Sequence, residues 1–244
     1  MTRRRWIADV VSGDRAALLG EHADHLLRVL RARVGQEFDI ATGSAVRRGR
    51  ITSITNDRVE FELGEELSEG KSAEITLLLA IFKFDRMEWA IEKCTELGVM
   101  RIVPVIARRT DSHLAAASNK RVERWRRIVR QAAEQARRSA PTEIAAPIKL
   151  SEALDVAAAL RIVLSESEEQ TLLRDIVNPN SLDVEQEGNR IVLALGPEGG
   201  WTDDELLSFH QAGWISASLG NTILRAETAA IAATAIVASA MNSL

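Results

Sequence analysis

Short runs in which apolar and polar residues alternate fill the first quarter of the chain, and this period-two pattern predicts β-strands. A single helical run covers residues 21–31, and a polar, glycine-bounded stretch at residues 64–72 reads as a linker. We therefore predict a small β-barrel over this part of the chain, with strands at residues 6–11, 37–42, 46–54 and 58–63.

The hydrophobic period changes after the predicted linker. Residues 75–82 form a nearly continuous apolar run, which is typical of a strand buried on both faces. Asp85, followed by Glu88, resembles a capping box, and helical spacing continues to a stop at Gly98. Further strands are predicted at residues 101–107, 144–148, 162–165, 191–195 and 215–219. Helices are predicted between and after them at residues 120–138, 151–160, 202–212 and 226–241.

This alternation of strands and helices predicts an α/β domain with a parallel sheet. Thr202, with Glu205 three residues later, is a second capping-box signal. The last helix is apolar nearly all round, so we expect it to be buried on several sides, in the core or against a second subunit. The pattern predicts two domains, residues 1–70 and residues 73–244.

The net charge of −4 conceals a strongly basic segment. Residues 101–138 carry a net charge of +8, whereas residues 139–244 carry −10. Nearly all the basic residues are arginines, which pair with phosphates, so a polyanionic partner is compatible with an acidic protein. No apolar run is long enough to span a membrane, and no apolar segment follows the basic start as a signal peptide requires, so we expect a cytoplasmic protein.

Two glycine-containing loops, each after a short apolar run, are the strongest functional signal. The first is Gly196-Pro197-Glu198-Gly199-Gly200, and the second begins at Leu219-Gly220. Neither is a dinucleotide fingerprint or a P-loop, and Glu198 disfavours a phosphate ligand. Alone, the first loop could be a plain turn, and Arg225 with Glu227 could be an ordinary surface pair. If the two loops meet, they can form one pocket built largely from backbone groups.

The two loops, together with Ile223-Leu224-Arg225-Ala226-Glu227-Thr228-Ala229, resemble the carboxyl-terminal signature of the SPOUT methyltransferases. The resemblance is closest to the RsmE family of 16S ribosomal RNA (uracil-N3)-methyltransferases. Segments resembling that family occur in the same order upstream. The family usually has glycine at Phe84 and phenylalanine at Trp201, and Thr42-Gly43-Ser44 replaces its common Asp-Gly turn. The matching segments contain Lys83, Asp85-Arg86-Met87-Glu88, Lys93 to Val99, Arg108-Arg109-Thr110, Trp125, Glu134-Gln135 and His25-Leu26.

The resemblance implies a small PUA-like, RNA-binding β-barrel followed by a SPOUT α/β domain with a trefoil knot. It implies S-adenosylmethionine as cofactor, a homodimer, and N3-methylation of a uridine in 16S ribosomal RNA of the small ribosomal subunit. We expect Arg225 to stabilise charge developing on the uracil, and Glu198 to shape its loop or to take part in proton removal. The expected cofactor-binding residues are Ser165, Leu195, Gly196, Pro197, Glu198, Gly199, Gly200, Leu219, Gly220, Asn221, Ile223 and Leu224.

RNA binding is expected on a basic face. The candidates are Arg4, Arg28, Arg31, Arg48, Lys83, Arg108, Arg109 and Arg138. No metal is expected, because Cys94 is the one cysteine and the histidines lack spaced partners. Cys94 is expected in the core, and His25 in a partly buried packing role. Alternatives are a tRNA ribose 2′-O-methyltransferase, a non-catalytic RNA-binding protein of the same fold, and an oxidoreductase, which the missing fingerprint disfavours.

Overall fold

The computed structural model describes residues 5–43, 45–55, 57–67, 74–136, 138, 140–177 and 190–241. Its internal contacts divide the chain into two compact units. The first unit comprises Met1–Gly70 and Ala133–Pro141, and the second comprises Lys71–Ala132 and Thr142–Leu244. The segment 133–141 therefore belongs with the amino-terminal unit, although it is far from residue 70 in the sequence.

The first unit is built around a curled, mainly antiparallel sheet. The strands are β1 Arg5–Ile7, β2 Val10–Ser12, β3 Arg15–Leu19, β4 Glu37–Ala41, β5 Val46–Ile54 and β6 Arg58–Leu67. Their order in the sheet is β1-β4-β5-β6-β3-β2, and only the β1–β4 pairing is parallel. Inward-facing side chains such as Leu18, Ile40 and Phe61 are buried in its core. This arrangement fits the predicted small barrel.

The helical run predicted at residues 21–31 is shorter and less regular than expected. Helix α1 covers Gly20–Asp24 and continues as a π-helical turn over His25–Val29, in which the Leu30 N–H donates to the His25 carbonyl. Arg31 follows with φ of 51°, in the left-handed region that residues other than glycine rarely adopt. The His25 ring packs edge-on against Trp6, as a packing role requires, but the residue is exposed, so the prediction that it is partly buried is wrong.

Three further features of this unit differ from the sequence prediction. Residues 6–11 form two strands, because Asp9 turns the chain and its carboxylate accepts the Leu19 N–H at 2.8 Å. Strand β3 was not predicted, since Arg-Ala-Ala-Leu-Leu has little β propensity and only its pairing with β6 makes it a strand. The predicted linker is strand up to Leu67, and its remaining residues 68–72 lie outside the described residues.

The second unit alternates strands and helices as predicted. Strands and helices follow in the order β7 Glu74–Ala80, α2 Phe84–Glu96, β8 Arg101–Ile106, α3 Ser112–Ala117, a 3₁₀ turn Ser118–Arg121, α4 Val122–Gln135, β9 Glu143–Ile144, β10 Ile148–Lys149, α5 Leu150–Ala153, β11 Leu160–Leu164, α6 Leu173–Ile176, β12 Arg190–Leu195, α7 Asp203–Gln211, β13 Ile215–Ala217 and α8 Ala226–Ala240. The last residues of α4 fall in the segment assigned to the first unit.

The strands form a parallel sheet in the order β10-β8-β7-β12-β11-β13, with β9 also paired to β8. Alternate side chains of β12 face opposite layers of core. Leu193 and Leu195 pack in the layer that contains α2 and α8, whereas Val192 and Ala194 face the layer around α7. The prediction of an α/β fold with a parallel sheet is confirmed, as is the burial of Cys94.

Three local predictions in this unit need correction. Helix α2 begins at Phe84 with Lys83 as its N-cap residue, so Asp85 lies inside the first turn and caps nothing. The strand predicted at residues 144–148 is interrupted, since Pro147 has no N–H to donate to a ladder. The helix predicted at residues 151–160 ends already at Ala153, as helix α5. The Trp214 indole N–H donates to the next carbonyl, that of Leu154, at 3.0 Å.

Candidate active site

The loops that follow five strands leave the parallel sheet at one edge. The register pairs Leu195 with Leu79, Ala80 with Val105, and Leu164 with Ala217, so the carboxyl ends of β7, β8, β11, β12 and β13 lie together. In α/β proteins this edge is where ligands bind. Both predicted glycine loops begin here.

Close backbone approach determines the shape of the first loop, residues 196–201. The Gly200 N–H donates to the Pro197 carbonyl at 2.8 Å. A Cβ on Gly196 would lie 3.3 Å from backbone atoms of Gly200 and Trp201, and Gly200 itself has φ of 69°. The loop ends in the predicted capping box, in which Thr202 and Glu205 bond to each other's backbone. Glycine is therefore required here by sterics and not only by turn propensity.

Two consecutive arginines after β8 bond to the first loop and to helix α7 that follows it. The Nη1 group of Arg109 donates to the carbonyl oxygens of Gly199, at 2.6 Å, and Trp201, at 3.1 Å. The backbone N–H of Arg108 donates to Oε1 of Glu205 at 2.7 Å. Arg108 and Arg109 are both exposed, but the guanidinium of Arg109, which we predicted to bind RNA, also bonds to the loop.

The second loop borders a cavity of about 290 Å³. This volume is close to the lower end of the range for small-molecule sites, about 300–1,000 Å³. Of the predicted cofactor residues, Leu219, Gly220 and Asn221 line the cavity. The remaining lining residues, which sequence reasoning missed, are Leu172, Leu173, Arg174, Ser218 and Ile236.

Arg86 connects the two loops. Its Nη1 group donates to Oε1 of Glu198 at 2.8 Å, and its Nε lies 3.8 Å from Oε1 of Glu227. Glu198 belongs to the first loop, and Glu227 lies in the first turn of α8, directly after the second. Arg86 therefore links the first loop to the start of α8, next to the second loop, and Glu227 faces Arg86 rather than Arg225.

The other predicted site residues vary in exposure. Arg225 is exposed, is the N-cap residue of α8, and makes no side-chain hydrogen bond or ion pair with any residue that the structure describes. Ile223 is 79% exposed, Leu224 is half-buried and Leu195 is buried. Ser165 donates its N–H to the Ala217 carbonyl, and its hydroxyl lies 2.8 Å from that of Ser167.

The basic candidates in the first unit also differ. Arg28 lies 3.4 Å from Asp24, and Arg48 lies 3.7 Å from Asp39, so both face a carboxylate. Arg31 is exposed. Arg138 donates its N–H to the Ala133 carbonyl, and Arg4 lies outside the described residues. In the second unit, Lys83 is exposed at the start of α2, on the carboxyl side of β7.

Sequence reasoning did not assign Arg86 or Glu166 to the site. Oε1 of Glu166 would lie 3.1 Å from a Cβ on Gly200, which places this carboxylate against the first loop. Arg86 did carry a signal, since it belongs to the segment 83–88 that resembles the RsmE family. Glu166 carried none, because its proximity depends on the pairing of β11 with β12.

The buried cysteine and the distribution of possible metal ligands bear on the chemistry that this protein can perform. Burial raises the pKa of the Cys94 thiol to about 12, so this residue is a core residue and not a nucleophile. Within the described part of the chain, no group of three or more histidine, cysteine or acidic residues could hold a metal ion, and none of its helices is long and apolar enough to cross a membrane.

The chain is similar to known RNA methyltransferases over most of its length. Residues 69–238 match the profile of a family described as the RNA methyltransferase domain. The chain is 33% identical over 225 residues to ribosomal RNA small subunit methyltransferase E of Synechocystis sp., covering 90% of this chain and 71% of that one. It is 32% identical over 219 residues to the Rickettsia conorii protein of the same name, covering 88% and 85%.

Solved structures agree with this result. Methyltransferase E from Neisseria gonorrhoeae, solved with bound S-adenosyl methionine, superposes with a TM-score of 0.79 at 31% identity over 96% of both chains. A Legionella pneumophila methyltransferase, also solved with this cofactor, gives 0.81 at 27% identity over 98% of both chains. The predicted fold class, a SPOUT methyltransferase domain preceded by a small barrel-like domain, is confirmed. The chain belongs to the RNA methyltransferase domain family and, within it, to the ribosomal RNA small subunit methyltransferase E family.

Proposed function

We propose that this protein transfers a methyl group from S-adenosylmethionine to N3 of a uridine in 16S ribosomal RNA of the small ribosomal subunit. The observation that carries the proposal is the contact of Arg86 with both the first glycine loop and the start of α8, beside the second loop, at the carboxyl edge of the sheet. Family membership supports the reaction class. The choice of uracil N3 rests on the resemblance of the loop motifs to the RsmE family.

The residues at this edge fit the cofactor's chemistry. S-adenosylmethionine supplies a methyl group on a positively charged sulfur. The cavity beside the second loop is mainly apolar with a few polar groups, as small-molecule sites are, and carboxylates stand near the first loop at Glu166 and Glu198. We propose that residues 195–200, 219–221, 223 and 224, with Ser165, hold the cofactor.

The protein's contribution to methyl transfer is orientation, exclusion of water and control of one proton. Uracil N3 must lose its proton, and the negative charge that develops spreads to the neighbouring carbonyl oxygens. Arg225 has an exposed guanidinium with no protein partner among the described residues, so it is available to stabilise that charge. The bond from Arg86 to Glu198 favours the loop-shaping role for Glu198 over proton removal.

We propose that RNA is recognised by basic side chains that have no acidic side-chain partner among the described residues. Lys83 and Arg108 are exposed at the carboxyl edge of the sheet, and Arg31 is exposed in the first unit. Neutralisation of phosphates by such residues makes RNA binding salt-dependent.

We further propose that the protein acts in the cytoplasm. We also propose that it forms a homodimer, since α8 retains partly exposed Ile231, Ala235 and Ile236 that a second copy could cover.

The deciding experiment is an assay with labelled S-adenosylmethionine on small ribosomal subunits and, separately, on naked 16S RNA, followed by nucleoside analysis. We expect 3-methyluridine as the product. A 2′-O-methylated nucleoside would replace the proposal with ribose methylation. Binding of RNA without cofactor binding, measured by calorimetry, would instead identify a non-catalytic RNA-binding protein.

A further inference from the structure

The buried carboxylate of Glu227 is not explained by the proposed chemistry. Its side chain is 6% exposed, and its Oε2 is buried with no hydrogen-bond partner among the described residues. Burying an ionised carboxylate is costly unless a positive charge lies nearby. The positive end of the α8 dipole contributes, because Glu227 lies in the first turn of the helix. The side-chain cation that faces it is Arg86, with Nε 3.8 Å from Oε1.

The same guanidinium holds a second carboxylate through a different nitrogen. Nη1 of Arg86 donates to Glu198 at 2.8 Å while Nε faces Glu227. The planar guanidinium presents its donors in a fixed fork, so one arginine can set the separation of two carboxylates. Arg86 is itself well placed for this, because the next residue, Met87, and the following turn of α2 at Ala90 and Ile91 are fully buried.

We infer that Arg86 is a positioning residue that couples the loop after β12 to the start of α8. We infer, on the basis of the proposed function, that this coupling fixes the distance between the cofactor loops. It also orients Arg225, which lies two residues before Glu227. Glu198 is then the attachment point of the first loop and not a base. Without Arg86, both carboxylates lose their shared cation, and the charge of Glu227 stays buried without a side-chain partner.

The test compares variants that separate coupling from general stability. Arg86→Ala removes the link, and Arg86→Lys keeps the charge but not the fork. The double variant Arg86→Ala with Glu227→Gln removes the buried charge as well, so it folds even if the single variant is unstable. Arg101→Ala is the matched control, because Arg101 lies 3.4 Å from Glu143 at the amino end of β8, whereas both loops follow the carboxyl ends of their strands.

Hydrogen exchange on segments 196–201 and 219–230 measures the coupling without any cofactor. We expect faster exchange in both segments for Arg86→Ala and the double variant, and wild-type exchange for Arg101→Ala. Calorimetry should show that Arg86→Ala weakens S-adenosylmethionine binding about tenfold, with Arg86→Lys intermediate. Methylation at saturating cofactor should also slow, while RNA binding measured without cofactor stays unchanged.

The outcomes distinguish this inference from the proposed function. If the wild-type protein binds no S-adenosylmethionine, the proposed function is overturned, and the role of Arg86 in that function is overturned as well. If the wild type binds the cofactor, and Arg86→Ala matches it in exchange and within about twofold in affinity, then Arg86 is only a structural ion pair and the inference is wrong.

Discussion

The guanidinium of Arg109 and the carbonyl oxygen of Gly199 are 2.6 Å apart, and this bond fixes the segment after β8 onto the glycine loop after β12. The same Nη1 group reaches the Trp201 carbonyl at 3.1 Å. One arginine from the most basic segment of the chain therefore satisfies two loop carbonyls. Part of that segment's positive charge therefore holds the candidate active site in shape.

Replacing Arg109 should weaken cofactor binding more than RNA binding. Arg109→Ala leaves two loop carbonyls without their charged donor, and hydrogen bonds to charged groups contribute about 1.5–3 kcal/mol each at most. We expect the Kd for S-adenosylmethionine to rise about tenfold or more by calorimetry. Arg108→Ala is the control, since its backbone bond to Glu205 survives the substitution. A selective loss of RNA binding in Arg109→Ala would contradict this assignment.

Gly200→Ala should lower both stability and cofactor affinity. The residue has φ of 69°, and a Cβ would meet Glu166 at 3.1 Å. The backbone strain alone costs about 1–2 kcal/mol, which thermal unfolding would detect. Gly98→Ala is a matched control, because Gly98 also has positive φ, 99°, but open space around it. That variant should lose stability and keep cofactor affinity; loss of affinity in both would show a general effect.

Arg31→Gly should separate stability from RNA binding. Glycine relieves left-handed strain of about 1–2 kcal/mol, which offsets the added chain entropy of about 0.4–1 kcal/mol. We expect the unfolding temperature to stay level or rise, while 16S RNA affinity falls and its salt dependence becomes shallower. Arg31→Lys should retain most of the affinity. Unchanged affinity in Arg31→Gly would remove Arg31 from the RNA surface.

Arg225→Ala should slow turnover strongly while leaving the cofactor bound. If the guanidinium stabilises charge on the uracil, its loss should lower kcat by about 100-fold or more. Single-turnover methylation on small subunits, with cofactor affinity measured in parallel, tests this expectation. Wild-type turnover in the variant would exclude Arg225 from the chemistry.

Glu168 should make folding stability sensitive to acid. Its carboxylate accepts the N–H groups of Gln170 and Thr171, and the first of these bonds is the main cause that lowers its pKa. Because the folded-state pKa is lowered, the ionised carboxylate stabilises the fold at pH values above the unfolded-state pKa, which is about 4.3. This stabilisation is lost as the pH falls through the folded-state pKa. Glu168→Gln should be less stable at pH 7 and lose less on acidification. Parallel pH curves for the two proteins would contradict this.

The sequence by itself determined the main features of this protein. Hydrophobic periodicity identified the α/β domain and most of its strands, because a buried parallel strand and an amphipathic helix leave different spacings. The order of the glycine loops and the segment at residues 83–88 pointed to the RsmE family. The capping box at Thr202 was also correct, since a cap is a local interaction between residues three apart.

Only the tertiary structure decided which charges face one another. Arg86 is far from Glu198 and Glu227 in the sequence, and parallel strand pairing places the three together. For the same reason, sequence could not show that Arg109 is engaged with a loop or that Glu227 is buried. Strand β3 and the π-helical turn before Arg31 likewise depend on pairing and packing that no local pattern encodes.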